Sequence, residues 1–266
     1  MADWTKITSR GSVSDRRGMG GIIGGGGIAG VLLLMGITYL MGGNPLDVLL
    51  QTDPSTYTAS VGDTTQYDGQ DDYEVFVSTV LGSTNDFWKA EFEAQGKTYT
   101  DPQLVLFRGQ TNSACGGAIS QVGPHYCPTD STIYLDETFF GELTKRLGAE
   151  GDDVAEAYVI SHEVGHHAQN QLSLLQAGES NEASVQTELQ ADCFAGLWAG
   201  SLKNDGIFAE GEITEAFDAA EAVGDDSIQK KTQGEVQPET WTHGSSAQRV
   251  SAFNTGFSGN FANCTQ

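Results

Sequence analysis

The sequence predicts an α+β fold, mostly helical with a small sheet, preceded by one transmembrane helix. Three observations carry that expectation: helix-period apolar patterning in long stretches between residues 153 and 223, two short strand-like runs ahead of them, and a charge-free apolar segment near the N-terminus.

No charged residue occurs between Arg17 and Asp47. The stretch from Ile22 to Met41 is long enough to cross a hydrocarbon core of ~30 Å at ~1.5 Å per helical residue. The chain has 13 Lys or Arg and 36 Asp or Glu among its 266 residues, a net charge of −23. Residues 1–18 hold Lys6, Arg10, Arg16 and Arg17 against Asp3 and Asp15, a net +2 that leaves −25 for the remainder. By the positive-inside rule the basic flank stays in the cytoplasm. The expected organisation is therefore a cytoplasmic N-terminus (1–18), a transmembrane anchor (19–43), a polar linker (44–71) and a domain (72–266) on the periplasmic or extracellular side. A cleaved signal peptide competes with this reading, but no small-x-small cleavage site stands before Asn44. A domain at −25 repels phosphate backbones, which excludes nucleic acid as a partner class. Oligomeric state is not legible in the composition.

Within the domain, Phe76, Val80, Phe87, Trp88 and Phe92 suggest one or two helices. Gln103 to Arg108 and Thr132 to Asp136 suggest strands separated by a glycine-rich loop, and Phe139 to Leu147 a short helix. Asp153 to Leu175, Ser180 to Lys203 and Glu212 to Val223 form the helical bulk. A last helix is expected from Ser245, a natural N-cap.

The chemistry lies in the first long helix, where His162, Glu163, Val164, Gly165 and His166 spell H-E-x-x-H. Histidines at i and i+4 share a helix face and can bind one zinc ion, and Glu163, about 100° further round, is placed to reach a bound water. A third ligand is required. The metzincin pattern is excluded, because positions 169 and 172 are Gln169 and Leu172. The next helix offers Glu188 and Asp192, two carboxylates one turn apart. Glu188 is the expected third ligand, completing a His-His-Glu set with the fourth position open to water. Asp192 is expected to accept a hydrogen bond from the far nitrogen of His162. Taken alone these acids would suit a solvated helix face; the upstream histidine pair changes that reading. Zn²⁺ in such a site lowers the pKa of bound water toward ~7 and polarises a carbonyl, with Glu163 as general base. His243 is the candidate donor to the oxyanion, with a capping or core role as the plain alternative. His167 is expected to pack or face solvent, and His125 has no assigned partner.

The segments His162 to Asn170, Glu188 to Gly196 and Thr242 to Arg249 resemble the neutral zinc metallopeptidases of bacteria. The likeness extends to Gly123–Asp130, Gly224–Gln229 and Ser14–Gly18, nearly the whole chain. It implies a gluzincin-like, membrane-anchored peptidase with zinc on His162, His166 and Glu188 and Glu163 as base, acting on a peptide or protein substrate. No particular substrate follows. One departure is Ala252-Phe253, where an aromatic pair is expected.

Cys115, Cys127, Cys193 and Cys264 all follow the apolar segment, and three pairings are open; Cys115–Cys127 and Cys193–Cys264 are favoured. No Cys-x-x-Cys spacing supports cysteine ligation. A peptide is expected to add along the strand Thr132–Asp136. Two competing functions remain: a zinc hydrolase acting on a non-peptide amide or a cell-wall bond, and a non-enzymatic anchored binding or scaffold protein with a structural metal site. Glu163 argues against the scaffold, since a structural ion has no use for a base beside its ligand.

Overall fold

The structure, a computed structural model, describes residues 1–17, 65–66, 71–119, 123–141, 153–175 and 180–265. The expected anchor (19–43) and most of the linker (44–71) lie outside the described residues. Among those described, no helix is long and apolar enough to cross a membrane.

Seven strands occur among the described residues: β1 (Val13–Asp15), β2 (Thr65–Gln66), β3 (Gln103–Phe107), β4 (Gln110–Ser113), β5 (Gly116–Ile119), β6 (His125–Cys127) and β7 (Thr132–Asp136). Five of them form one sheet in the order β2-β1-β3-β7-β6, while β4 and β5 pair as a separate hairpin. Strands β1, β3 and β7 run parallel, and β6 is antiparallel to β7 at one edge. The expected strands appear as β3 and β7. They are buried on both faces, which explains why their sequences run apolar without alternation. Leu104, Leu106, Ile133 and Leu135 face the helices, whereas Val105, Phe107 and Tyr134 form a small cluster with Ala118 and Cys127 on the other side. A disulfide between Cys115 and Cys127 ties the hairpin to β6.

The helices are α1 (Asp72–Ala94), α2 (Asp153–Leu172), α3 (Asn181–Ser201), α4 (Ile213–Ala222), α5 (Asp225–Thr232), α6 (Ser246–Ser258) and α7 (Phe261–Cys264). Asp71 caps α1 and Ser180 caps α3 through their side chains, and Ser245 with Gln248 forms a capping box on α6. The short helix expected at Phe139–Leu147 is helical at 138–141 and then leaves the described residues. Helices α3 and α6 pack backbone to backbone. A Cβ on Gly256 would stand 1.9 Å from the Cys193 carbonyl oxygen, and one on Gly196 2.1 Å from that of Phe253, so only glycine fits either position. The Cys193–Cys264 disulfide ties α7 to α3.

Two expectations need correction. The first is that residues 1–18 stand apart from a domain beginning at 72. The structure folds residues 1–17 into that domain, with β1 paired to β3 in parallel register, Val13 opposite Leu104. Trp4 stacks on Trp198 at 6.5 Å between ring centroids, and its Nε1 donates to Asp153 at 2.6 Å. Three strand residues and one tryptophan carry no readable period, so this packing has no local signature. The second is that Thr132–Asp136 receives a peptide. As β7 it already pairs with β3 on one side and β6 on the other, so it has no free edge to offer. Among the described residues, the edge strand on that side of the sheet is β6.

Candidate metal centre

Helix α2 places His162 and His166 on one face, and α3 crosses close beside it. Gly165 permits that crossing, since a Cβ there would stand 3.0 Å from the Ala191 carbonyl oxygen. Glu188 then reaches both imidazoles: its carboxylate lies 3.2 Å from His162 Nε2 and 3.4 Å from His166 Nε2. A tetrahedral ion with ligands at ~2.0–2.1 Å holds neighbouring ligand atoms about 3.4 Å apart, so these spacings fit zinc. His162, His166 and Glu188 are a group able to hold a metal ion.

The remaining ring nitrogens are fixed from behind. His162 Nδ1 donates to Asp192 Oδ1 at 2.8 Å, which leaves Nε2 as the free lone pair. Asp192 is fully buried and also accepts from the Tyr158 hydroxyl at 2.6 Å, and from Arg249 through Nε and Nη2 at 2.8 and 2.9 Å. His166 Nδ1 donates to Gln169 Oε1 at 2.8 Å. Gln169 Nε2 in turn donates to the Thr187 carbonyl at 2.7 Å and to Gln190 Oε1 at 3.0 Å, so the amide can present only its oxygen to His166. Both imidazoles are thereby held in the tautomer that aims Nε2 at Glu188.

The electrostatics favour a cation. Burial alone would discharge His162, but Asp192 and Glu188 outweigh it and raise its pKa to about 10. Burial likewise opposes the charge on Glu188, yet His166 and His162 hold its carboxyl well below the usual range. Asp192 is held at about 2 because Arg249 and His162 overcome its burial. The field that draws a proton to His162 Nε2 draws a divalent cation equally, and the two compete for the same lone pair.

The group opens onto a cavity of about 620 Å³. Glu163 lines it beside the histidines, as do Phe139, Val159, Leu175, Val223 and Ile228, which make much of the wall apolar. His125 and Tyr126 of β6 line it as well. His243 also faces the cavity, half exposed, with its Nδ1 3.2 Å from Asp225 Oδ1. Asp225 Oδ2 accepts the backbone N–H groups of Thr242, His243 and Gly244 at 2.8, 2.7 and 2.9 Å, a cradle that fixes the loop carrying His243. Burial raises the Asp225 carboxyl, but His243 and these N–H groups bring it below its ordinary value.

His167, one residue past the histidine pair, is buried rather than exposed and holds Tyr126 and Thr100. Sequence reasoning missed Gln169, Tyr158, Arg249 and Asp225 as members of the site. Gln169 was visible only as a mismatch to another pattern. Arg249 and Asp225 lie in motifs already noted, and an arginine buried near a second carboxylate is a signal only once the helices are in place.

Fold and site define a candidate metal centre of the HExxH type, with a glutamate from a following helix beside the two histidines. Residues 2–266 match the family described as "Putative neutral zinc metallopeptidase", and the chain belongs to that family. It is 46% identical over 206 residues to the Escherichia coli (strain K12) protein described as "Uncharacterized protein YpfJ", covering 73% of this chain and 71% of that one. It is 41% identical over 235 residues to the Mycobacterium bovis protein "Uncharacterized protein Mb2605", covering 82% and 80% respectively. The Mycobacterium tuberculosis (strain H37Rv) protein "Uncharacterized protein Rv2575" has the same identity and coverage. No solved structure matches the chain.

Proposed function

We propose that this protein is a zinc-dependent endopeptidase that hydrolyses peptide bonds outside the cytoplasm. The observation that carries the reading is the convergence of His162 Nε2, His166 Nε2 and the Glu188 carboxylate at 3.2 and 3.4 Å on the wall of an open cavity, beside Glu163. A zinc ion held by His162, His166 and Glu188 would supply Lewis acidity and an acidified water. Glu163 accepts the proton released by the attacking water and returns it to the leaving amine. His243, fixed by Asp225, lines the cavity and acts as a donor to the developing oxyanion. An extended peptide adds to the outer edge of β6, whose His125 and Tyr126 line the cavity, in place of the strand expected from sequence.

Two disulfides support an oxidising compartment. The apolar stretch from Ile22 to Met41 supports membrane association without a net crossing, since Arg17 and Asp71 pair across its two ends. The deciding experiment compares wild type with Glu163→Gln on a peptide library. Both should bind zinc with equal stoichiometry, and only the wild type should cleave. Equal cleavage by the two, or none by zinc-loaded wild type on peptides alongside activity on wall fragments, would refute the peptidase reading.

A further inference from the structure

Strand β6 has only three residues, and it pairs with β7 along one side. A substrate laid on its other side is aligned with the metal centre only if β6 is fixed relative to α2. His167 provides that link. Its Nε2 lies 2.7 Å from the Thr100 carbonyl oxygen, which only a protonated nitrogen can satisfy. Its Nδ1 must then accept, and the Tyr126 hydroxyl donates to it at 2.9 Å. That hydroxyl accepts in turn from Asn170 Nδ2 at 3.0 Å. One neutral imidazole, 1% exposed, thus joins α2 to β6, and Gln171 Nε2, 2.6 Å from the ring Nε2, shares the same Thr100 carbonyl oxygen. Because residue 167 follows ligand candidate 166, the same helix turn aims one histidine at the metal position and, about 100° round, the next at the strand.

We propose that His167 is a positioning residue for substrate: it sets the height of β6 over α2 and so aligns an extended peptide with Glu163. The inference rests on the peptidase reading, and its test separates the two. His167→Phe keeps an aromatic ring and removes both hydrogen bonds; His167→Gln retains a donor and an acceptor. In full-length protein, His167→Phe should raise KM for a peptide long enough to pair with β6 by roughly 5- to 10-fold. Zinc content and kcat should hold, and His167→Gln should recover most of the loss. Amide hydrogen exchange should quicken at residues 123–127 in His167→Phe, while residues 160–166 stay protected. A fall in kcat at constant KM, or unchanged exchange in β6, overturns the proposal. If wild type cleaves no peptide while exchange in β6 still quickens, the strand link stands and the peptidase reading falls.

A separate observation concerns residues 1–17. Arg17 is buried and pairs with Asp15, Asp71 and Glu137, each at 2.7 Å. The residues flanking the apolar segment, Arg17 before it and Asp71 after it, are thereby clasped together on one side of the domain. The amide of Leu104 donates to the Ser12 carbonyl and that of Arg16 to the Leu106 carbonyl, so β1 also satisfies the edge of β3. A single crossing of a membrane between Arg17 and Asp71 would tear β1 from β3 and leave these charges unpaired.

We infer that residues 1–17 and 71–266 occupy the same compartment, with both flanks of the apolar segment on one side of any membrane. Thr8→Cys and Glu235→Cys, both at exposed positions, test this in intact cells with a membrane-impermeant maleimide, using permeabilised cells as the control. Both positions should label, or both should be protected until permeabilisation. Labelling of one and protection of the other overturns the inference.

Discussion

Arg249 on α6 grips Asp192 on α3 at two points, Nε to Oδ2 at 2.8 Å and Nη2 to Oδ1 at 2.9 Å, with both side chains buried. Asp192 can therefore hold His162 without remaining an uncompensated charge in the core. Removing one partner of such a pair costs about 3–5 kcal/mol, since the other is left buried and charged. Arg249→Met is expected to destabilise the domain by about that amount in urea unfolding. Arg249→Lys keeps the charge and loses the two-point grip, so it should fall between. Equal stability of all three would mean that the pair contributes nothing to the fold.

Gln169 and Asp192 do the same work on opposite histidines, one through an amide and one through a carboxylate. Losing a hydrogen bond to the far nitrogen of a metal-binding histidine typically lowers affinity 10–100-fold. Gln169→Ala and Asp192→Asn are each expected to weaken zinc binding by roughly 10–100-fold in competition with a chelator. Gln169→Glu keeps the acceptor for His166 but sets a carboxylate oxygen against the Thr187 carbonyl and Gln190 Oε1, so it should not restore the full affinity. An unaltered zinc affinity in Gln169→Ala would show that His166 needs no such support.

The legibility of this molecule followed the period of its elements. Helices α2, α3 and α4 were readable to within a few residues because ten or more positions repeat their apolar spacing, and β3 and β7 because they are unbroken apolar runs. Helix α6 was readable from the cap at Ser245. The three-residue strands β1 and β6 and the polar hairpin β4–β5 offer too few positions for any pattern. His162, His166 and Glu188 were found because a helix converts spacing into direction. Arg249, Gln169 and Asp225 act through contacts between helices, and those depend on packing that no local spacing encodes. Only helix packing reveals that Gly165, Gly196 and Gly256 let α2, α3 and α6 approach closely enough to assemble the site.

That close approach makes a stability prediction against local propensity. Alanine favours a helix over glycine by about 1 kcal/mol, so Gly256→Ala would stabilise α6 in isolation. In the domain its Cβ would stand 1.9 Å from the Cys193 carbonyl oxygen, and the helices must separate. Overpacking of this kind costs about 1–3 kcal/mol, more than the propensity gain at its upper end. Gly256→Ala is expected to lower Tm and to loosen the Arg249–Asp192 contact, with weaker zinc binding as a consequence. A raised Tm would show that α6 shifts without loss.

Acid should act first on the carboxylates that the fold holds charged. The carboxyl of Asp225 lies below its ordinary value of 3.8 in the folded protein, since burial is outweighed by His243 and the N–H groups of residues 242–244. A lowered folded pKa means that the unfolded chain takes up the proton first as pH falls. The stabilisation is therefore complete above about pH 4 and is lost as pH drops through the folded pKa, below 3.8. Asp225→Asn removes this contribution at neutral pH and leaves little to lose in acid. In urea unfolding across pH 7 to pH 3 the gap between wild type and Asp225→Asn should be widest at the neutral end and narrow toward the acidic end. The loop that carries His243 would lose its cradle, so peptide cleavage at pH 7 should fall while zinc content holds. A gap of constant size at every pH would assign the effect to hydrogen-bond geometry alone, with no part for the charge on Asp225.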